Sequence, residues 1–390
     1  MKKTGYIHLL LTLALTLSAI PSLWGHDPRA RTAVQIPDIL EYRTLKCDFH
    51  IHTVFSDGSV WPDIRSEEAW REGLDAIAIT DHIEYQPHKD DLPTNHERSY
   101  QIAKPHGDQL RIIVIRGSEV TREMPPGHIN AIFLDRVTPL DTEDWRDSLK
   151  EARAQGAFLF WNHPGWDGQQ PDNVARWYSE HSELVDGDLL HGIEVANARE
   201  YYPEAHRWCL EKNLTMLSNS DVHNPLNLDY HVHHGDHRPL TLVFSKDASS
   251  EGIREALFDR RTAVYTGNRL IGRETFLQPI FQNSITVINP QVQIVGDGRA
   301  LIQIQNDSDL DYELVQREED PRVGTNRELI LQGGKTVLLT VAGRSEERSG
   351  TETVHLQYTV KNLLVAPDVG MAVDIPLEIT FVPEKQEPGQ

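Results

Sequence analysis

From Lys46 onward, short apolar runs alternate with longer polar stretches in which apolar residues return every three or four positions. A short apolar run bounded by turn formers reads as a buried strand, and an amphipathic stretch of ten or more residues reads as a helix. The pattern predicts strands over Lys46–His52, Ala76–Thr80, Arg111–Arg116, Ile129–Leu134, Ala157–Trp161, Gly192–Ala196, Thr215–Ser218 and Leu240–Phe244. Between them it predicts helices over Pro62–Glu72, Thr142–Ala154, Asn173–Glu180, Glu204–Lys212 and Ser250–Asp259. Such alternation is the mark of βα units. After about Glu274 helical periodicity is nearly absent and the period becomes two, as in Ala300–Gln305 and Thr336–Val341. Turn signals at Asp297-Gly298 and Gln332-Gly333-Gly334, with further runs over Val354–Val360 and Ile375–Phe381, predict a small all-β sandwich.

The division that follows is a lead-in over residues 26–44, an α/β domain over 45–273 and a β-sandwich domain over 274–390. Ahead of these, Met1-Lys2-Lys3, the apolar run His8–Ile20 and Pro21-Ser22-Leu23-Trp24-Gly25 have the layout of a secretory signal peptide over residues 1–25. The expectation is an exported chain, periplasmic or secreted, beginning near His26. The run is short for a bilayer span and ends without the cysteine of a lipoprotein, so no membrane anchor is expected after cleavage.

Composition narrows the partners. The formal net charge is −21, from 59 acidic and 38 basic residues, so the averaged field repels nucleic acids and anionic membrane surfaces. A small anion is still compatible, because bound cations invert the local sign inside a cleft. Cys47 and Cys209 are the only cysteines. That count excludes a disulfide-stapled scaffold and a thiolate zinc site, and both read as packed apolar side chains.

The densest chemistry lies in Asp48-Phe49-His50-Ile51-His52-Thr53-Val54-Phe55-Ser56-Asp57-Gly58. A strand with a side-chain period of two puts His50 and His52 on one face, and Asp57 follows on a turn that Gly58 permits. Asp221-Val222-His223 repeats the spacing after another strand. Thr80-Asp81-His82, Gly117-Ser118-Glu119, Gly127-His128 and Asn162-His163-Pro164 come between, each at or just past a strand's carboxyl end, where barrel active sites are assembled.

Taken in order, H-x-H-x-x-x-S-D-G, T-D-H, G-x-E, G-H, N-H-P and S-D-x-H resemble the PHP (polymerase and histidinol phosphatase) superfamily over roughly residues 46–270. The resemblance implies a distorted, TIM-like (β/α)7 barrel that binds two or three divalent ions and hydrolyses phosphoesters. Carried over position by position, it implies one ion on His50, His52, Glu119 and Asp221, and a second reached through Glu119 and held by His128 and His163. Asp57, His82 and His223 would hold a third, although some relatives have His where this chain has Asp57. Zinc, manganese and iron all suit a set of nitrogen and oxygen donors. His223 or Asp81 is the expected acid for the departing oxygen.

Around this set, Asp48 either orients a ligand imidazole or joins a buried ion pair. Glu194 is an additional ligand, a substrate contact or, preferably, a carboxylate that steadies a ligand from behind. Arg122 is the preferred phosphate clamp, against a solvated surface arginine. One imidazole of the His231–His237 run is a further candidate for the site, the rest reading as a surface cluster. Trp161 and Trp166 flank His163, as pocket wall or as core. The sandwich carries no ligand-like cluster and reads as support or as a docking surface. The expected function is hydrolysis of a small phosphomonoester or phosphodiester, and no motif fixes the oligomeric state. The alternatives are a nuclease-type phosphodiesterase, which the charge disfavours, and an inert metal-loaded binding protein.

Overall fold

The computed structural model describes residues 30–232 and 235–384. The expected signal peptide, with His233 and His234 of the histidine run, lies outside the described residues. The first strands are β1 (Arg43–Asp48), β2 (Ala76–Ile79), β3 (Ile113–Val120), β4 (Ile129–Ile132), β5 (Phe158–Trp161), β6 (Gly192–Asn197), the two-residue β7 (Glu200–Tyr201) and β8 (Thr215–Asn219). The helices among them are α1 (Pro62–Arg71), α2 (Arg98–Leu110), α3 (Trp145–Ala154), α4 (Ser179–Asp186) and α5 (Pro203–Glu211). Asp144 caps α3 by accepting from Arg146 N at 2.9 Å, which satisfies an otherwise unpaired helix-start amide.

β1, β2 and β3 are parallel, β4 is antiparallel to both β3 and β5, and β5, β6 and β8 are parallel again. The ring closes beyond the strand ends, where Ile51 bridges Val222. There His52 N donates to Val222 O at 3.1 Å and Asp221 N donates to His50 O at 2.9 Å. The result is a seven-stranded α/β barrel in which β4 breaks the strict β/α alternation. Its strands are buried on both faces; every residue of Phe158-Leu159-Phe160-Trp161 is fully enclosed.

The chain continues through α6 (Leu226–Asp229), β9 (Leu240–Ser245), α7 (Ser250–Phe258), β10 (Thr262–Thr266), β11 (Arg269–Gly272) and α8 (Glu274–Ser284). It then enters the all-β region: β12 (Ile285–Val287), β13 (Gln291–Val295), β14 (Arg299–Asn306), β15 (Tyr312–Gln316), β16 (Val323–Thr325), β17 (Glu328–Leu331), β18 (Lys335–Gly343), β19 (Gly350–Ala366) and β20 (Val369–Val382). One layer has the order β12-β14-β18-β16; the other is built on β13-β20-β19 with β15 and β17. The second layer is continuous with the barrel, because Leu270 and Ile271 of β11 pair with Leu363 and Leu364 of β19.

Three expectations change. β1 ends at Asp48, so His50 and His52 follow the strand instead of ending it. The helix expected over Asn173–Glu180 begins only at Ser179, because Asn173 takes a left-handed φ of 55° and Tyr178 N is held by His181 Nδ1 at 3.0 Å. The region after Glu274 does contain a helix, α8, which buries Phe276, Leu277, Ile280 and Phe281. Each such side chain contributes about 1.5–3 kcal/mol, so this helix cements barrel to sandwich.

Candidate metal centre

Ligand-type side chains from six places in the chain meet at one end of the barrel. His50 Nε2 and His52 Nε2 are 3.0 Å apart, and each lies 3.1 Å from Asp221 Oδ1. Glu119, fully buried next to the last residue of β3, places Oε2 at 3.5 Å from His50 Nε2, 3.3 Å from His52 Nε2 and 2.8 Å from His82 Nδ1. Its Oε1 lies 2.9 Å from His128 Nδ1 and 3.7 Å from His163 Nε2. Asp57 Oδ1 stands 3.2 Å from His223 Nε2, 3.5 Å from His82 Nε2 and 3.7 Å from His52 Nδ1.

Topology explains the convergence. His50, His52, His82, His163, Asp221 and His223 follow the carboxyl ends of parallel strands. His128 instead precedes β4, and it faces the same mouth only because β4 runs the other way. Gly58 turns the Asp57 loop against the His52 peptide, where a Cβ would come within 2.8 Å of Thr53 N.

The donors overlap in three sets: His52, Asp57, His82 and His223; His50, His52 and Glu119; His82, Glu119 and His128. His163 and Asp221 are outside these sets, His163 3.7 Å from Glu119 and 4.0 Å from Asp221, and Asp221 3.1 Å from both His50 and His52. His52 and His82, as well as Glu119, each belong to two sets, so the grouping is more interwoven than the family pattern, which shared only Glu119, implied.

The residues fit divalent cations. Asp57 Oδ1, Glu119 Oε2, His128 Nδ1 and Asp221 Oδ1 are buried and make no hydrogen bond, an arrangement that costs roughly 1–3 kcal/mol per atom without a partner. The 3.0 Å between His50 and His52 nitrogens matches the separation of two donors about 2.1 Å from one ion at a right angle.

The charges are strongly coupled. Burial alone would lower the His82 pKa, but Glu119 and Asp57 outweigh it and raise it to about 10. His52, buried and beside the imidazoles of His82 and His223, is lowered to about 3. Against burial, the imidazoles of His82, His128 and His50 hold Glu119 well below the usual carboxylate range.

A layer behind the ligands fixes their aim. Glu194 accepts from His50 Nδ1 at 2.9 Å and from His163 N at 2.7 Å, which makes it a steadying carboxylate. Asn162 Nδ2 donates to Glu119 Oε1 at 2.8 Å. The fully buried Arg65 donates to His52 O at 2.9 Å, Val222 O at 3.1 Å and Asn224 O at 2.8 Å, clipping together the two ligand-bearing segments. Arg65 was missed because an arginine within a polar helix pattern reads as solvated.

Other candidates sit differently. Asp81 accepts from Thr53 N at 2.7 Å and from the Thr53 and Ser56 hydroxyls, both at 2.8 Å, so it shapes the loop that carries Asp57. Arg122 is tied to Glu84 and to the carbonyls of Thr121 and Thr142, partners with which a phosphate would have to compete. Asp48 pairs with Arg238 at 3.0 Å in the buried interior. His237 places its ring nitrogens 2.7 Å from the Arg238 carbonyl and 2.9 Å from the Gly267 carbonyl and stacks on Tyr265 at 4.1 Å. Trp161 is core, stacked at 3.7 Å on His181, whereas Trp166 is 40% exposed beside His128 and His163.

A solved structure from Bacteroides vulgatus, a two-domain protein containing a predicted PHP-like metal-dependent phosphoesterase, is 44% identical to this chain, with a TM-score of 0.85 over 90% of this chain and 100% of that one. The chain belongs to this two-domain PHP-like phosphoesterase family. An uncharacterized protein of Methanocaldococcus jannaschii is 38% identical over 197 residues, 47% of this chain and 84% of that protein. In the PHP-like chain, residues 285–376 match a family model described as an Ig-like domain, in agreement with the two β layers.

Proposed function

We propose that this PHP-like protein hydrolyses a phosphomonoester or phosphodiester of a small organic alcohol, outside the cytoplasm, at two or three clustered divalent ions. The carrying observation is the set of buried, unbonded donor atoms on Asp57, Glu119, His128 and Asp221, converging where seven ligand-type residues form overlapping groups with His163 and Asp221 alongside. His50, His52, Asp57, His82, Glu119, His128, His163, Asp221 and His223 would hold the ions. When bound, such ions lower the pKa of water toward neutrality and polarise phosphoryl oxygens.

The protein's own groups do the rest. Asp81, Thr53 and Ser56 hold the loop that carries Asp57. Glu194 and Asn162 fix the ligands' orientation. His223, with Nδ1 held by Asp221 O at 2.8 Å and Nε2 3.2 Å from Asp57 Oδ1, has both ring nitrogens engaged when it serves as a ligand, so the departing alcohol takes its proton from solvent at the mouth. The −21 net charge supports a small substrate over a nucleic acid.

Purified protein, loaded in turn with zinc, manganese and iron, is to be assayed on paired p-nitrophenyl phosphate mono- and diesters. Turnover that requires metal and disappears in His50→Ala supports the proposal. Metal binding without turnover of either ester class overturns it. Fractionation of expressing cells tests export: retention of the intact chain in the cytoplasm refutes that part.

A further inference from the structure

We propose that the cleft beside the metal centre binds a cationic alcohol moiety, so that the preferred substrate is the phosphoester of an amino alcohol. The inference deepens the phosphoester reading and rests on it for turnover. A cleft of about 580 Å³ opens directly from the ligand cluster, with His163 and Asp221 in its wall. Trp166, Tyr202, Leu228 and Tyr230 also line it, Trp166 and Leu228 exposed and the two tyrosines buried. Trp166 is 40% exposed, its ring 5.2 Å from that of His163, so an aromatic surface stands next to the reacting end of any ester held there.

The charge of the same wall decides what that surface takes. Asp167, Glu200 and Asp229 line it, against a single cation, Arg199. Arg199 is matched by Asp236 at 2.6 Å, with its guanidinium over Tyr230, so it offers no free positive charge to a second phosphate. The carboxylates of Asp167 and Asp229 form no ion pair among the described residues. Arg199 also donates to the Asp229 carbonyl at 2.8 Å, so the wall carries three carboxylates against one guanidinium that Asp236 already pairs. An aromatic surface beside such a net excess of carboxylates attracts an ammonium group and repels a further anion. The ester's phosphoryl group would lie toward the ligand cluster and its ammonium toward Trp166, Asp167 and Asp229.

The test uses choline and its uncharged carbon isostere, 3,3-dimethylbutanol. Calorimetry on the metal-loaded protein is expected to detect choline at least about tenfold more tightly than the isostere. Asp167→Asn/Asp229→Asn is expected to erase that preference, with Trp166→Ala weakening both ligands. The p-nitrophenyl phosphodiesters of the same two alcohols should differ in kcat/KM in the same direction. Equal binding of the two alcohols, or a preference that survives the double substitution, overturns the cleft assignment. Hydrolysis of both esters without preference leaves the phosphoesterase reading standing and the cleft assignment refuted. Selective choline binding with neither ester cleaved does the reverse.

Discussion

Replacing Glu194 by Gln tests whether the metal centre depends on the carboxylate behind it. Glu194 is fully buried and accepts from His50 Nδ1 at 2.9 Å, Asn219 Nδ2 at 2.9 Å, His163 N at 2.7 Å and Asn197 Nδ2 at 2.7 Å. The amide keeps the volume, so no cavity forms, but one of its two ends becomes a donor. With the amide oxygen left toward His50 and Asn219, the His163 amide and Asn197 each face an N–H. Two buried bonds unmade cost about 2–6 kcal/mol at about 1–3 each. The ligands they aim lose their registration as well, and loss of such an outer contact lowers metal affinity about 10–100-fold. Urea unfolding reads the first effect, and competition against a chromogenic chelator reads the second. A folded Glu194→Gln protein with metal affinity within about twofold of the parent would refute the positioning role, even if its urea midpoint fell.

Arg65→Met removes the donors to three backbone carbonyls and to Glu68, and is expected to destabilise the protein by about 3–5 kcal/mol in urea unfolding, with Lys restoring only part. Burial lowers His181, His191 and His206 each to about 4, from 6.5. Between those values the unfolded chain binds protons that the folded chain does not, so stability is full above pH 6.5 and falls as pH drops toward 4, by about 1.4 kcal/mol per unit per histidine. His181→Gln should therefore flatten the dependence of the urea midpoint between pH 6.5 and 4.5 relative to the parent, and an unchanged slope would refute the assignment.

Much of the barrel was legible because its strands are buried on both faces, which leaves continuous apolar runs such as Phe158–Trp161 bounded by polar helices. The donors were legible because each stands beside a turn residue or a second donor at fixed spacing. Tertiary context hid the rest. α2 was missed because Pro105 and Gly107 interrupt its pattern, although Gly107 is required where a Cβ would meet Val114 Cγ2 at 2.3 Å. α8 contains Pro279 and directly precedes period-two sequence, so its four buried apolar residues were masked by the change in period. Asp81 and Arg122 were assigned by residue type. Their partners, Thr53 with Ser56 for Asp81 and Glu84 for Arg122, lie tens of residues away, and only folding brings them within hydrogen-bonding reach.

The antiparallel β4 links the fold to the site. A strictly parallel ring would put the start of that strand at the opposite end, and His128 would leave the mouth. Running the strand backwards returns His128 to within 2.9 Å of Glu119 and obliges the chain to re-enter the ring at β5. At the mouth the backbone is strained: His163 adopts a φ of 28° and Asp221 a φ of 55°. Left-handed conformations at non-glycine positions cost about 1–3 kcal/mol each and persist only where surrounding bonds hold them. His163 N is held by Glu194 at 2.7 Å, and Asp221 N by the His50 carbonyl at 2.9 Å. Each strained ligand is thus fixed by a group that also carries or aims His50, so the centre is a single mechanical unit. Substitutions that free either backbone are expected to disturb His50 as well.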